Sequence, residues 1–397
     1  MRRPRVPLRG LAAGSFLLVW LACGRAPDAP VGAEPGAPLR GLHPAELARF
    51  AAGKALFNKI FTPAEGLGPL FNENQCSACH TDPVSGGDGE QRVVKASHFV
   101  APAACDALQG GRGLNVRRQA TAALKALGVD RETVPPEATE HGRFAPPFLF
   151  GLGLVEAIPE ADILARADPE DRNHDGISGR PGRTPQGAFG RFGRKADVAT
   201  ITDFVASALR LEMGITSPLA PAEQGLNGGP LPPGTDPAPD PEVDRETVER
   251  LADFVRFLAP LPGPPLAADA RRDSVLRGER VFASLGCPSC HVPSMTTGKS
   301  RVPALDRKAV YLYSDLLLHD LGPDLASVCG AGAQPGELRT AILAGLSYRK
   351  TFLHDGRALD VRGAILAHGG EASAARAAFA ELDPISQQLL LVFLETL

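Results

Sequence analysis

Tryptophan is almost missing from this chain, and aromatic residues of every kind are scarce. The 397 residues include one Trp and three Tyr, and all aromatic residues together make up 6% of the composition. The single Trp20 lies in an N-terminal leader, so a chain that has lost the leader contains no indole. Any interior role that requires an indole is therefore excluded, which leaves Tyr311, Tyr313 and Tyr348 as the oxidisable aromatic residues.

Long apolar runs are absent after the leader. The first ten residues carry four arginines, and an apolar run from Leu11 to Ala22 follows them. A basic segment before a short apolar segment is typical of a secretory signal peptide. The apolar run is too short to span a bilayer, and no later stretch reaches the roughly 18 apolar residues that a span requires. We predict a signal peptide over residues 1–22 and export to the periplasm, with a signal anchor as the alternative.

The residues before Cys23 resemble a bacterial lipoprotein cleavage site. Ala22 fits the position before the Cys, whereas Trp20 stands where such sites usually carry Leu. Lipidation of Cys23 would tether the mature chain to a membrane, and without it the chain would be a soluble periplasmic protein. We favour the membrane-anchored lipoprotein. Residues 23–44 are predicted to form a flexible tether, because most of them are Ala, Pro and Gly.

The chain also has no excess of basic over acidic residues. Loss of residues 1–22 removes four of the 42 basic residues and none of the 45 acidic ones, which leaves a net charge of −7. Nucleic-acid-binding proteins present a basic patch to the phosphate backbone. We therefore expect no nucleic acid among the partners of the mature chain.

The pattern Cys-x-x-Cys-His occurs twice, as Cys76, Cys79, His80 and as Cys287, Cys290, His291. This is the attachment signature of c-type haem, in which two thiols bind the porphyrin and the adjacent His binds the iron. A zinc site needs a second Cys/His pair close in sequence, and neither copy has one. A thiol-redox motif does not explain the His in both copies. We predict two covalently bound haem c groups, with His80 and His291 as proximal iron ligands.

Two further cysteines, Cys105 and Cys329, stand apart from these motifs. An oxidising compartment favours a disulfide between them, which would join the two haem units. The alternative is a pair of separate buried thiols. A thiol oxidoreductase that uses this pair is a third functional hypothesis, although no local pattern supports it.

Helical segments precede each motif and close each unit. The segment ELARFAAGKALF carries Gly53 and Phe57 ahead of the first motif, and SVLRGERVF carries Gly278 and Phe282 ahead of the second. The segments VERLADFVRFLAPL and ISQQLLLVFLETL then show apolar residues at helical spacing. A Gly-x-x-x-Phe helix crossed by a closing apolar helix is the plan of a class I cytochrome c.

We therefore predict a mainly α fold with two class I cytochrome c-like haem domains, residues 45–262 and residues 263–397. The first domain is much the larger, so it must be enlarged by insertions and long loops. One of these covers residues 217–243, which are rich in Pro and Gly and show no periodicity.

Longer segments around the motifs resemble one family. They are FGLGLVEAIPEADIL, NHDGISGR, FGRFGRKAD, YSDLLLHDLGP, ELRTAILAGL, FLHDGRA and AILAHGGEA. Together they resemble the bacterial di-haem oxidoreductases, often labelled thiol oxidoreductases, which are similar to di-haem cytochrome c peroxidases and MauG-type enzymes. The resemblance covers nearly all of residues 45–397, and fold transfers better than function.

The resemblance implies a periplasmic, peroxidase-like di-haem oxidoreductase. One haem would accept electrons from a small redox protein and pass them to the second, which would reduce peroxide or oxidise a substrate. The alternative is a non-catalytic di-haem electron-transfer cytochrome, in which both irons keep two axial ligands.

The distal ligands decide between these two functions. In di-haem peroxidases the HDG segment is followed fourteen residues later by the distal ligand, usually Met. Here that position is His368, counted from His354, so the resemblance points to His368 for the second haem. For the first haem, His98 lies near the place where such peroxidases carry a releasable His, and Met213 is the rival. We predict His98 first and Met213 second.

Other site residues follow from the resemblance or from side-chain chemistry. Glu156 is a candidate acid for proton transfer, by analogy with the Glu over the open haem, and a buried salt bridge is the alternative. His319 and His354 are candidate propionate partners or alternative ligands. Guanidinium groups bind carboxylates in a bidentate manner, so further predicted propionate partners are Arg180, Arg339 and Arg357.

The run Asp171-x-Asn173-x-Asp175-Gly176 has the first half of a calcium loop. The acid expected at position 12 is missing, because residue 182 is Gly. The related peroxidases hold Ca²⁺ between their haems, which implies Ca²⁺ here. A turn rich in Asp and Asn is the simpler alternative.

Overall fold

The computed structural model describes residues 34–101, 104–106, 108, 114–263 and 269–397. The predicted signal peptide over residues 1–22, with Trp20, and the predicted lipid site at Cys23 lie outside the described residues. Within the described ranges, no helix is both long enough and apolar enough to cross a membrane.

The described part of the chain contains ten α-helices, separated by turns and short 3-10 segments. In chain order they are α1 Pro44–Phe57, α2 Ala122–Lys125, α3 Leu152–Glu156, α4 Glu160–Leu164, α5 Ile201–Met213, α6 Arg245–Phe257, α7 Asp269–Ser284, α8 Val361–Leu366, α9 Ser373–Glu381 and α10 Pro384–Leu394. Side-chain caps set several helix starts, because an Asp or Thr oxygen accepts a free backbone N–H of the first turn. Thr200 caps α5, Asp244 caps α6 and Asp383 caps α10.

Twelve short strands pair into small antiparallel sheets in the described ranges. They are β1 Leu70–Phe71, β2 Val93–Val100, β3 Ala104–Asp106, β4 Leu114–Val116, β5 Gln119–Ala120, β6 Glu140–Phe144, β7 Gly182–Arg183, β8 Phe189–Gly190, β9 Met295–Thr296, β10 Ala309–Val310, β11 Leu318–Asp320 and β12 Glu337–Arg339. The largest sheet is built around β2, which pairs with β3, β4 and β6. The other sheets are the pairs β1–β5, β7–β8, β9–β10 and β11–β12.

The helix before the first motif packs against the helix that closes the first unit. A Cβ added to Gly53 of α1 would lie 2.0 Å from the carbonyl oxygen of Arg250 in α6, so only glycine allows this approach. The ring of Phe254 in α6 lies 5.3 Å from Phe50 and 4.8 Å from Phe57, measured between ring centroids. The helix pair expected from the first Gly-x-x-x-Phe segment is confirmed.

A second pair repeats this contact near the second motif. A Cβ added to Gly278 of α7 would lie 2.0 Å from the carbonyl oxygen of Leu389 in α10. The rings of Phe282 and Phe393 lie 5.4 Å apart and belong to the same buried cluster. This pair also agrees with the prediction from the sequence.

The prediction of a mainly α fold with two class I cytochrome c-like domains is wrong. The described residues are 34% helical and 14% strand, and the strands form several small sheets. The largest sheet arises within residues 93–144, where most strands have two to five residues. Such short segments give almost no period-two signal in a sequence, because the pairing that stabilises them is non-local.

The buried cores do not divide as the two predicted domains do. The largest cluster includes α1, α5 and α6 and also takes in Met295, Leu312 and Leu317 from the second half. The second cluster is smaller and lies between α7 and α10, around Phe282, Leu390 and Phe393. The limits 45–262 and 263–397 stay predictions.

A disulfide joins Cys105 of β3 to Cys329, across 224 residues of sequence. The backbone N–H of Cys329 also donates to the hydroxyl of Ser97 in β2. Of the two alternatives for these cysteines, the structure contains the disulfide, which connects the β2 sheet to the second half of the chain.

Candidate di-haem site

Both Cys-x-x-Cys-His motifs line one continuous cavity of about 700 Å³. Each motif begins in a 3-10 turn, Cys76–Ala78 after α1 and Cys287–Ser289 after α7. The lining also includes Met213, His319, His354, His368, Glu212, Arg194, Arg339 and Arg349. The structure therefore brings the two predicted haem sites, 211 residues apart in sequence, to one cavity.

The two predicted proximal histidines are oriented alike. Nδ1 of His80 donates to the carbonyl oxygen of Gly87 over 2.9 Å, and Nδ1 of His291 donates to that of Tyr313 over 2.9 Å. Burial lowers the pKa of His80, and it lowers the pKa of His291 to about 4. In each ring the Nδ1 bond favours the tautomer that has its lone pair on Nε2, which is how a metal-binding His is normally held.

Three of the four motif cysteines, Cys76, Cys79 and Cys287, lie in surroundings that disfavour a thiolate. Burial raises the pKa of Cys76 and Cys79 to about 12 and that of Cys287 to about 11. Zinc binding and disulfide exchange both need the thiolate form. A thioether carries no ionisable proton, so these sites fit the covalent attachment of haem better than either alternative.

The partly buried guanidinium groups of Arg194, Arg339 and Arg349 line the same cavity. Burial and the neighbouring Arg194 lower the pKa of Arg339 and of Arg349 to about 10. Arg339 donates to the carbonyl oxygens of Gly193 and Thr340, and Arg349 lies 4.1 Å from the ring centroid of Phe148. Nε of Arg194 has no hydrogen-bond partner within the described residues. Partly buried cations of this kind fit an anionic ligand, such as the carboxylates of haem propionates.

Of the three arginines predicted to bind haem propionates, the structure places one in the cavity wall. Arg339 lines the cavity, whereas Arg180 and Arg357 are not among its lining residues. Arg180 forms an ion pair with Glu337, and Arg357 forms one with Asp355. The sequence reasoning missed Arg194, although it lies in the quoted FGRFGRKAD segment, and it also missed Arg349, for which the sequence offers no signal.

His354 and His368 both line the cavity. Burial lowers the pKa of His354 to about 4, and its Nδ1 has no hydrogen-bond partner among the described residues. Nδ1 of His368 donates to the carbonyl oxygen of Ala364 over 2.7 Å, which leaves Nε2 free. His368 is close enough to His291 for its charge to lower the pKa of that residue. The structure thus brings the predicted proximal and distal ligands of the second haem together.

His98 does not reach the cavity, whereas Met213 does. Nδ1 of His98 donates to the carbonyl oxygen of Glu137 over 2.6 Å. Side chains alternate between the two faces of a strand. In β2 the residues that line the cavity are Val93 and Lys95. His98 is an odd number of residues away from both, so its side chain lies on the opposite face of the strand. Met213 ends α5 and is buried, and it is the better placed of the two predicted ligands for the first haem.

Glu156 also lies outside the cavity lining. One of its carboxylate oxygens accepts the backbone N–H of Ile201 over 2.7 Å, and the other accepts Nε of Arg256 over 2.8 Å. The side chain therefore joins the end of α3 to the start of α5 and to α6, which matches the salt-bridge alternative. Glu212 is a carboxylate of the cavity wall that the sequence reasoning missed. It accepts side-chain amides of Asn72 and Asn115 and adjoins Met213 in sequence.

The predicted calcium loop uses its side chains to hold its own backbone. Asp171 accepts the N–H of Gly176, and Asp175 accepts the N–H of Ile177. The side-chain amide of Asn173 donates to Asp175 over 2.9 Å. This pattern is that of the turn proposed as the alternative, and calcium binding stays a prediction.

Comparison with known proteins identifies relatives of the chain. The family model "Di-haem oxidoreductase, putative peroxidase" matches residues 141–397. No curated protein matches the chain. Among solved structures, the diheme peroxidase BthA from Burkholderia thailandensis is 15% identical, over 92% of this chain and 89% of that chain, with a TM-score of 0.40.

A second similar structure is a variant of the same peroxidase, 18% identical over 94% of this chain and 90% of that chain, with a TM-score of 0.39. Hydrazine synthase from Kuenenia stuttgartiensis is 20% identical over 38% of this chain, with a TM-score of 0.27. The present chain covers 55% of the length of that hydrazine synthase chain. The structural likenesses are too distant to assign a function, so the family model alone assigns the chain.

Proposed function

Because the chain belongs to the di-haem oxidoreductase family, we propose that it is a periplasmic, peroxidase-like enzyme with two covalently bound haem c groups. The family match confirms the resemblance predicted from the motifs. The covalent attachment, the compartment and the peroxidase-type reaction are parts of the proposal.

The observation that carries the proposal is the shared cavity. Two Cys-x-x-Cys-His motifs open into it, and the guanidinium groups of Arg194, Arg339 and Arg349 line it. A pair of thiols, a neutral His and a buried cation are the groups that a c-type haem requires. One cavity for both sites also supports direct electron transfer between them, without a separate carrier.

Each motif has a defined task in this proposal. Its two cysteines attach the porphyrin, and Nε2 of His80 or His291 binds the iron while the Nδ1 bond fixes the ring. The haems, when bound, would supply the redox chemistry, with one iron accepting electrons and the other reducing peroxide or oxidising a substrate. The arginines would neutralise the propionates.

We propose His368 as the distal ligand of the second haem and Met213, in place of His98, for the first. Both side chains are largely buried and line the cavity. Thioether ligation raises the reduction potential of a haem relative to imidazole ligation. The two residues would therefore make the two sites chemically unlike, as an enzyme with separate electron-receiving and reacting sites requires.

Glu212 is the carboxylate that we propose for proton transfer. It lies in the cavity wall beside Met213, and its charge raises the pKa of His80, which places it near the first motif. Peroxide reduction consumes protons, and a positioned carboxyl group contributes about 10²- to 10⁴-fold to such steps. Glu156, which is bound to Arg256 outside the cavity, is not proposed for this role.

The remaining parts of the proposal concern the surroundings of the protein. A small redox protein would donate or accept electrons, and lipidation of Cys23 would hold the enzyme at a membrane. Ca²⁺ in the loop over residues 171–176 is proposed from the family resemblance. The mature net charge of −7 supports the absence of nucleic-acid partners.

Spectroscopy of the holoprotein tests the proposal. Electron paramagnetic resonance and optical spectra are recorded in the oxidised and half-reduced states, with and without peroxide. Peroxide reduction requires that one of the two proposed distal ligands be released, so we expect a high-spin haem signal in one of these states and its loss on addition of peroxide. M213A should alter the spectrum of one haem, whereas the matched variant H98A should leave both unchanged. A changed spectrum in H98A and an unchanged one in M213A would refute the ligand assignment.

A second candidate function is a di-haem electron-transfer cytochrome. The specific observation in its favour is that a ligand of the right chemistry, Met213 or His368, is available for each iron. Two low-spin haems that do not respond to peroxide in any redox state would establish this function and exclude the peroxidase.

A further inference from the structure

His319 of β11 is buried between two carboxylates. Its Nε2 lies 2.8 Å from Asp315, and its Nδ1 lies 2.7 Å from Glu371. Burial lowers the pKa of His319, but its hydrogen bonds to the carboxylates of Asp315 and Glu371 outweigh burial and raise it. The imidazole is therefore a cation, and the three side chains form a closed ion triad.

The triad contacts the second haem motif on one side. Nδ1 of His319 lies 3.7 Å from Sγ of Cys290. The backbone N–H of Asp315 donates to the carbonyl oxygen of Cys290 over 2.8 Å. The triad is thus connected to the covalent attachment of the second haem by both a side chain and the backbone.

On its other side the triad holds the segment that follows His368. Glu371 comes three residues after His368, and its carboxylate accepts three further donors besides His319. These are the hydroxyl and the backbone N–H of Ser178, over 2.6 and 3.1 Å, and the N–H of Asp320, over 3.2 Å. The hydrogen bonds of the Glu371 carboxylate therefore connect this segment to β11 and to Ser178.

Close glycine contacts hold the same segment against β11. A Cβ added to Gly370 would lie 2.1 Å from the carbonyl oxygen of Asp320, and one added to Gly369 would lie 2.7 Å from that of Leu321. Gly370 also has a φ of +52°, a backbone conformation that side chains disfavour. The chain between His368 and Glu371 consequently has little freedom to move away from β11.

His368 itself depends on this attachment. It follows α8, a helix of six residues, and its ring donates to Ala364 within that same turn. Helices this short have little stability of their own, so tertiary contacts must place them. These contacts include the packing of Ile365 against the second buried cluster and, three residues after His368, the bonds of the Glu371 carboxylate.

We propose that Glu371 and His319 are positioning residues that hold His368 in the place from which it would bind the iron of the second haem. This inference rests on the proposed function, because it assumes that His368 is the distal ligand. The triad contacts Cys290, which is next to His291, and it includes Glu371, which is three residues after His368. It therefore restrains the distance between the segments that carry these two histidines. Neither Glu371 nor His319 needs to touch the iron for this role.

The test uses the holoprotein with the variants E371A, H368A and E337Q. Glu337 is a matched control, because it is a buried carboxylate on the neighbouring strand β12 that binds Arg180 instead. Three quantities are measured for each variant: the haem content per chain, the thermal unfolding midpoint and the low-spin signal in electron paramagnetic resonance. The low-spin signal that H368A abolishes defines the second haem.

We expect E371A to keep two haems per chain but to lose at least half of that low-spin signal, with a high-spin signal in its place. Added imidazole should restore the low-spin signal, because it supplies the ligand that His368 no longer holds in place. E337Q should keep the full signal. A variant that is merely less stable would show a lower midpoint without this spectral change.

Two outcomes separate this inference from the proposed function. If H368A abolishes the signal and E371A keeps it, the positioning role is refuted while the proposed function stands. If H368A keeps the signal, His368 is not the ligand, and both the ligand assignment and this inference are refuted.

If E371A does not assemble with two haems, E371Q tests the same contact. It should lose part of the signal, and an unchanged signal would refute the role.

Discussion

Glu223 lies in the 217–243 loop beside three other acidic residues. One carboxylate oxygen from each of Glu223, Asp236, Asp240 and Glu242 lies within 4.8 Å of the others. Burial first, and then these neighbours, raise the pKa of Glu223 to about 9. Ionisation of Glu223 would place a negative charge beside three other carboxyl groups. The residue is therefore expected to be protonated at neutral pH.

We predict that E223Q flattens the dependence of the unfolding free energy on pH between about 5 and 9. In the unfolded chain Glu223 ionises near its ordinary pKa of 4.5, whereas in the folded chain it ionises near 9. The folded state then holds one more proton across this window, so stability falls as pH rises. Urea unfolding at pH 5, 7 and 9 measures the effect.

In that experiment the wild type should lose stability relative to E223Q as the pH increases. E381Q, which changes an exposed Glu at the end of α9, is the control and should follow the wild type. Parallel curves for E223Q and the wild type would show that Glu223 ionises alike in both states.

Among the elements, the two glycine-mediated helix pairs are the most constrained. In α1 and α7 the glycine brings the helix into contact with a backbone carbonyl of the crossing helix, with no room for a methyl group. Each pair also lies next to one Cys-x-x-Cys-His motif.

We predict that G53A and G278A each destabilise the protein by about 1–3 kcal/mol or more, because an added methyl group forces the helices apart. Thermal and urea unfolding of the holoprotein measure the loss. G363A is the matched control, because a Cβ at Gly363 in α8 meets the side-chain oxygen of Asp360 at 3.2 Å and no backbone. Equal stability of G278A and G363A would contradict this account of the crossing.

In strand β2, the face on which each side chain lies is set by the pairing of the strand with its neighbours. Its residues alternate between the cavity and the opposite face, and His98 falls on the face away from the cavity. The sequence distance between His98 and His80 suggested a distal ligand, but the distance carries no information about the face. Only the paired strand reveals that Val93 and Lys95 take the cavity side.

At the scale of the whole molecule, the disulfide between Cys105 and Cys329 connects the two halves of the chain. It closes a loop of more than two hundred residues that includes α2 to α7 and the second motif. Closure of a long loop restricts the unfolded chain and so stabilises the folded one. The folded molecule should therefore be more stable with this disulfide formed than with it reduced.

We predict that the double variant C105S/C329S loses about 2–4 kcal/mol of unfolding free energy. Urea unfolding under oxidising conditions measures the loss. Wild type treated with dithiothreitol is the control and should match the double variant, which itself should not respond to the reductant. A double variant as stable as the oxidised wild type would contradict the prediction.

The sequence alone determined the features that depend on neighbouring residues. The spacing within Cys76–His80 and Cys287–His291 indicates the haem chemistry, because both thiols and the imidazole belong to one turn. The Gly-x-x-x-Phe segments likewise predicted both helix pairs, since a helix is defined by contacts three and four residues apart. The long motifs identified the family, which the family model confirms.

The tertiary structure alone decided which side chains line the cavity. Met213, Arg194 and Arg349 reach it, and His98, Glu156 and Arg357 do not. The sheets around β2 also escaped prediction and overturned the mainly α fold. The physical reason is the same in both cases. Strand pairing and cavity walls join segments far apart in sequence, and the direction of a side chain is fixed only when those segments meet.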